Sequence, residues 1–184
     1  MDTKLSVKEI ELMLYKSNMF KSSDCIVVPN LSYGLLNHEA DFVVVTKNGI
    51  LTEIEIKRSF QDLKKDFEKG TFHIDDRVSR FYYCIPEKIL DKALNLFMEQ
   101  KEKIKELYGY DMYISPGLIV YNDDGKLYIK NDRSSRVKSR KIFLEEREKL
   151  ARLMSLRYWS LVEKTINKEK ESEVKDEGEP CSEF

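Results

Sequence analysis

Apolar and polar positions alternate along the chain in a way that marks out ten segments. Residues 6–20 carry Val7, Ile10 and Leu14 at helical spacing behind Ser6, a capping residue type, which predicts a helix. Residues 25–29 form a short β-branched run ending at Pro29 and predict a strand, followed by a loop over 30–37 that contains Gly34. Residues 39–46 and 50–57 read as two strands joined by Lys47-Asn48-Gly49, and an Asn-Gly pair between apolar runs predicts a hairpin. A helix is expected over 59–69. Phe60, Leu63 and Phe67 share one face there, Gly70 stops it, and Ser59 with Asp62 resembles a capping box. Residues 80–85 predict a strand that ends at Pro86, and Pro86 and Glu87 open a long helix to about Tyr108. Two further strands, 117–121 and 126–130, flank Asn122-Asp123-Asp124-Gly125, and a last helix is expected from 142 to about 167.

The resulting order is α-β-β-β-α-β-α-β-β-α, an α/β chain with a mixed sheet flanked by helices. Helices separate several of the strands, so part of the sheet should be parallel. Residues 1–167 read as one domain, and no internal repeat is visible. Residues 168–184 are charged and poor in apolar side chains, and read as a disordered acidic tail.

Composition adds limits. With 41% hydrophobic and 11% aromatic residues the chain can build a sizeable core. The net charge of −1 is unevenly spread: residues 168–184 hold seven acids and three lysines, a net of −4, which leaves +3 on the rest. Cys25, Cys84 and Cys181 are an odd number without a CxxC spacing, which argues against a disulfide framework or a zinc site and fits a reducing compartment. The first residues lack the apolar stretch of a signal peptide, and no apolar run approaches a membrane span, so a soluble, cytoplasmic protein with no membrane partner is expected.

The segment richest in chemistry is His38-Glu39-Ala40-Asp41 together with Glu53-Ile54-Glu55-Ile56-Lys57. Strand side chains alternate between faces, so Glu53, Glu55 and Lys57 share one face, Glu39 and Asp41 share one face, and the hairpin brings Asp41 close to Glu55. Carboxylates that converge on a sheet repel one another unless a cation lies between them. Oxygen ligands of this kind suit Mg²⁺ or Mn²⁺, which retain water for chemistry. A lysine two residues beyond the second carboxylate points into the same place, where it can orient water and offset charge on a phosphate. The alternative is a solvated strand face with cross-strand ion pairs.

The arrangement Asp41…Glu55-Ile56-Lys57 resembles the PD-(D/E)xK nuclease superfamily. The stretches Glu39-Ala-Asp41-Phe-Val-Val-Val, Ile54-Glu55-Ile-Lys57-Arg-Ser-Phe-Gln-Asp62-Leu, Arg80-Phe-Tyr-Tyr-Cys-Ile-Pro86 and Gly117-Leu-Ile-Val-Tyr are further similar to its MmcB-like DNA repair family. The resemblance covers roughly residues 26–158 and implies a restriction-endonuclease-like fold that hydrolyses DNA phosphodiester bonds. Asp41 and Glu55 would be metal ligands, the Ile56 carbonyl a third, and Lys57 the catalytic lysine. It also implies DNA as partner, with RNA as the alternative, and the homodimeric assembly common in that superfamily. The chain departs from the pattern in having Ala40 before Asp41, Glu39 where a basic residue is usual, and no acid near Val27 or Val28. Either Glu9 or Glu11 then substitutes for it, or Glu39 and Glu53 join the site, or metal binding is weaker.

Several other residues have two readings. Asp62 matches an acid of the family but also suits the capping of its own helix. Gln61 and His38 lie near the carboxylates, where Gln61 would touch a phosphate or face solvent, and His38 would ligate a metal, act as a base or do neither. Asp75 and Asp76 read as turn residues and Cys84 as packing. Residues 133–157 hold nine basic side chains against three acids. Arg136, Lys138, Arg140 and Lys141 from that stretch, with Arg58 and Lys64, are the candidate nucleic-acid contacts. Tyr82, Tyr83 and Trp159 either stack on bases or pack in the core or an interface.

Overall fold

The computed structural model describes residues 2–17, 19–20, 24–32, 34–68, 75–108, 116–132 and 139–176. The elements follow one another as α1 (Val7–Lys16), β1 (Ile26–Leu31), β2 (Ala40–Val45), β3 (Leu51–Ile56), α2 (Phe60–Glu68), β4 (Val78–Pro86), α3 (Leu90–Tyr108), β5 (Gly117–Tyr121), β6 (Leu127–Asn131) and α4 (Leu144–Asp176). This is the order the residue pattern predicts. Six strands form one mixed sheet in sequential order. β1 to β3 pair antiparallel, β3 to β5 parallel, and β5 with β6 antiparallel.

Element ends differ from expectation for local reasons. α1 stops at Lys16 rather than at residue 20, because Ser17 is extended and its hydroxyl donates back to the Leu14 carbonyl at 2.7 Å. Its start is the expected one. Ser6 accepts from the Glu9 amide while the Glu9 carboxylate accepts from the Ser6 amide, a reciprocal capping box. β1 runs on through Pro29 to Leu31, where a loop was expected. It is an edge strand, so a missing amide hydrogen is tolerated there. Between Pro86 and α3 lies a single 3-10 turn, Glu87–Ile89. α4 continues to Asp176, so residues 168–176, expected to be disordered, are helical. Glu and Lys dominate that stretch, and both are good helix formers. Residues 177–184 of the expected tail, and Gly70, lie outside the described residues.

β3 is central, and all six of its residues are buried. On one face of the sheet Phe42, Val44, Ile54, Ile56, Tyr82, Cys84, Ile119 and Tyr121 pack against Ile10 and Leu14 of α1. The opposite face meets α2 and α3 through rings: Phe67 and Phe97 lie 5.5 and 5.6 Å from Tyr83, centroid to centroid. The first face is apolar throughout, whereas the second carries the ionisable residues of β3. The chain divides into two units, Met1–Arg147 with the sheet and Glu148–Phe184 with most of α4. Among the described residues no helix is long and apolar enough to cross a membrane.

The β2–β3 hairpin depends on Gly49. Its φ of 76° is left-handed, its amide donates to the Thr46 carbonyl at 3.0 Å, and its carbonyl accepts from the Ile142 amide at 2.8 Å. A Cβ there would lie 2.8 Å from the Ile142 carbonyl oxygen, whereas at Gly125, also left-handed (φ 82°), it would meet nothing within 4 Å. We expect Gly49→Ala to cost about 2–4 kcal/mol, from left-handed strain plus displacement of the 140–142 segment, and Gly125→Ala only about 1–2 kcal/mol. Urea unfolding of both variants checks the difference.

Candidate functional site

β2 runs antiparallel to β3 with Phe42 opposite Ile54, so Asp41, at the start of β2, stands beside Glu55, near the end of β3. One Asp41 carboxylate oxygen accepts the Ile56 amide at 2.9 Å, and the Asp41 amide points to Glu55 Oε1 at 3.4 Å. Lys57 Nζ donates to Glu55 Oε2 at 3.0 Å. Asp41, Glu55 and Lys57, singled out on spacing alone, therefore converge.

Two further side chains complete the cluster. Asp66 on α2 places Oδ1 3.0 Å from Lys57 Nζ and accepts the Tyr83 hydroxyl on Oδ2 at 2.8 Å. Tyr83 belongs to β4, in register with Glu55, and its ring centre is 5.9 Å from Lys57 Nζ. The Lys57 backbone is fixed as well: its amide donates to the Cys84 carbonyl at 2.9 Å and its carbonyl accepts the Tyr121 hydroxyl at 3.2 Å. Glu55, Lys57 and Asp66 are buried, whereas Asp41 is half-buried. Burial works against the Lys57 charge, but the Glu55 and Asp66 carboxylates outweigh it and raise the ammonium pKa above its usual value. Burial, then the Asp66 charge, raises the Tyr83 hydroxyl well above its usual value, so it stays a donor.

Asp66 escaped the residue-level reading, as did the part played by Tyr83, which appeared there only as a stacking or packing ring. A signal for Asp66 existed. It lies three residues after Leu63 on the inward face of α2, and a carboxylate on an inward face needs a cation or donor.

The accessory candidates divide sharply. Glu53 is fully buried on β3, and its Oε1 is 2.8 Å from His38 Nε2, so the two form a pair beside the cluster. Glu11 is buried on α1 and accepts from Asn30 Nδ2 and Lys8 Nζ, both at 2.8 Å. Asn30 has a φ of 49° and lies between the register pairs Pro29–Phe42 and Leu31–Ala40, hence across from Asp41. Glu9 is spent on its capping box, and Glu39 is exposed ahead of β2. The Asp62 amide donates to Ser59 Oγ at 3.1 Å and its carboxylate accepts the Arg58 amide at 3.4 Å, which is the capping reading. Gln61 is exposed on the first turn of α2. The Asp75 carboxylate accepts the Arg77 amide two residues on, as a turn residue does.

Among the basic candidates, Arg140 is already engaged. Its guanidinium makes two bonds to Glu146, at 2.8 and 2.6 Å, and stands 3.3 Å from Asp76. Lys141 and Lys64 are exposed, with Lys64 Nζ 3.9 Å from Glu68, and Arg58 is half-buried. Arg136 and Lys138 lie outside the described residues. Tyr82 is buried and its hydroxyl donates to Asp132. Cys84 is buried in the apolar face, which pushes its thiol pKa up.

The donor set can be set against a cation. Asp41 and Glu55 offer hard oxygens, and Asp41 keeps an oxygen beyond the one bonded to Ile56. Among the described residues no group of three or more His, Cys, Asp or Glu gathers as a cage. Two carboxylates, with water completing the shell, are the kind of donors that could hold a hard cation such as Mg²⁺ or Mn²⁺.

No family model matches the chain, and no curated protein matches it. A solved structure that it resembles is the SPO1766 protein of unknown function from Silicibacter pomeroyi, 12% identical over 89% of each chain, with a TM-score of 0.49. A likeness of that degree transfers neither fold nor function.

Two stability measurements follow from the geometry. Lys57→Met strands the buried Glu55 and Asp66 carboxylates and should cost about 3–5 kcal/mol in urea unfolding. Glu146 is the second case: hydrogen bonds from Arg140 lower its pKa to about 2, against the opposing effect of burial. A lowered carboxylate stabilises the fold above its unfolded pKa, and that contribution is lost as pH falls through the folded value. The stability gap between the native chain and Arg140→Met should therefore be largest above about pH 5 and close toward pH 2.

Proposed function

We propose that the chain is a metal-dependent nuclease of restriction-endonuclease-like type that hydrolyses DNA phosphodiester bonds, in DNA repair, recombination or phage and host DNA processing. The observation that carries this reading is the convergence of Asp41, Glu55 and Lys57 at the end of β3, with Asp41 bonded to the Ile56 amide and Lys57 to Glu55. The mixed sheet and the likeness of the motif to the PD-(D/E)xK pattern support it.

In this reading Asp41, Glu55 and the Ile56 carbonyl hold Mg²⁺ or Mn²⁺. When bound, the ion supplies Lewis-acid chemistry and a more acidic water. The chain's own residues do the rest. Lys57 brings a permanent positive charge to the edge of the carboxylate pair, where it orients water and offsets charge on the phosphate. Asp66 and Tyr83 fix the lysine so that its direction does not depend on substrate. The Ile56 amide holds the Asp41 carboxylate in place.

A second reading is a nuclease-fold module of weak or no activity that binds nucleic acid or a protein partner. The observation that favours it is the double clamp on Lys57, whose ammonium is shared between Glu55 and Asp66.

Incubation with single-stranded, duplex and branched DNA plus Mn²⁺ separates the two. We expect cleavage that falls at least about 100-fold in Asp41→Asn, which keeps an acceptor for the Ile56 amide but loses the charge. Calorimetry should show Mn²⁺ binding abolished in the same variant with its urea midpoint retained. No cleavage of any substrate, or cleavage undiminished in both Asp41→Asn and Lys57→Met, would sink the nuclease reading.

A further inference from the structure

The two carboxylates that clamp Lys57 are not equivalent. Glu55 and Asp66 each place one oxygen 3.0 Å from the ammonium nitrogen. Asp66 is committed on both oxygens, since Oδ1 meets Lys57 and Oδ2 accepts the Tyr83 hydroxyl at 2.8 Å. Tyr83 is in turn held by rings. Phe81 stands edge-on to it at 4.9 Å, and Phe97 is stacked on it at 5.6 Å. Glu55 is differently placed. Its Oε2 meets Lys57, while its Oε1 lies toward the half-buried Asp41, 3.4 Å from the Asp41 amide. One partner of the ammonium is thus locked inside the fold, and the other stands beside the carboxylate with which it would share a cation.

A carboxylate that neutralises a buried ammonium is a poor ligand for anything else. Drawing its charge to a second cation leaves the first without a counter-charge where water is scarce. With Glu55 alone, Lys57 and a divalent cation would compete for one group. Asp66 removes that conflict. It is buried, oriented by Tyr83, and as close to Nζ as Glu55 is, so the ammonium keeps a counter-charge whichever way Glu55 is used.

We propose, on the metal-binding reading of Asp41 and Glu55, that Lys57 is the resident counter-ion of Glu55. Asp66, oriented by Tyr83, is then a positioning residue that holds the ammonium when Glu55 serves a cation, and so sets how readily Glu55 accepts one.

Calorimetry of Mn²⁺ binding to the full chain tests this through a double-mutant cycle. Groups that orient a metal's ligands are typically worth about 10–100-fold in affinity, so Asp66→Asn, which keeps an acceptor but loses the charge, should weaken Mn²⁺ binding at least about tenfold. In the Lys57→Met background no ammonium has to be held. There the same change should weaken binding by about threefold or less, the part that charge at a distance contributes. A purely structural Asp66 would shift the urea midpoint and leave Mn²⁺ affinity unchanged, which overturns the proposal. So does an Asp66→Asn loss of equal size in both backgrounds. Lys57→Met is costly to the fold, so a second measurement uses the native chain. The ¹⁵Nζ resonance of Lys57 should move as Mg²⁺ is added, and an ammonium signal indifferent to saturating Mg²⁺ overturns the proposal. A native chain that binds neither ion removes the metal-binding reading and this proposal with it, whereas binding with equal losses in both backgrounds overturns this proposal alone.

Discussion

A buried ammonium group organises this molecule. Lys57 is enclosed where water is scarce, and an isolated charge there would cost several kcal/mol. It is kept by two carboxylates from different elements, Glu55 on its own strand and Asp66 on α2, with Tyr83 of β4 bonded to the second. The requirement to satisfy one cation thus fixes the position of α2 over the sheet. Apolar burial alone would specify that position loosely, since Phe67 and Phe97 could slide over Tyr83 with little change in area.

The location of this cluster follows from the change of strand direction at β3. β2 enters antiparallel, so its first residues lie beside the last residues of β3. β4 pairs parallel on the other side, which requires a crossover, and α2 is part of it. Asp41, Glu55, Asp66 and Tyr83 therefore meet although they are spread over more than forty residues. α1 closes the opposite face with Ile10 and Leu14 and leaves the polar face to the ionisable groups. A sheet with one dry face and one polar face keeps its register, because a slip of one residue would drive Glu53 and Glu55 into the apolar layer.

Much of this was legible in the residues. The Asn-Gly turn, period-two strands and a capped helix sufficed to bring Asp41 to Glu55, because hairpin register is local. All ten elements were readable in order for the same reason. Asp66 was harder, since its partner is nine residues away across a loop and only the docking of α2 brings them together. Arg140 is the reverse case. A basic run suggests a polyanion, but Glu146 lies six residues on and takes the guanidinium first. Charge counts say nothing about which charges are already paired. The length of α4 was missed because a charged stretch without apolar period can be disordered or helical, and its Glu and Lys content favours helix without making a core.

The two halves of the candidate site bear different structural burdens. Lys57 is buried and shared, so altering it disturbs both the chemistry and the packing of α2. Asp41 is half-buried and commits one oxygen to a backbone amide, an acceptor role that a neutral amide side chain fills equally well. Its charge is therefore not needed to hold the strands together. The neighbouring Glu55 carboxylate faces the Lys57 ammonium, whereas the Asp41 carboxylate is set against a neutral backbone amide. Asp41 is thus the residue whose charge the fold explains least, and the one on which a functional reading rests most firmly.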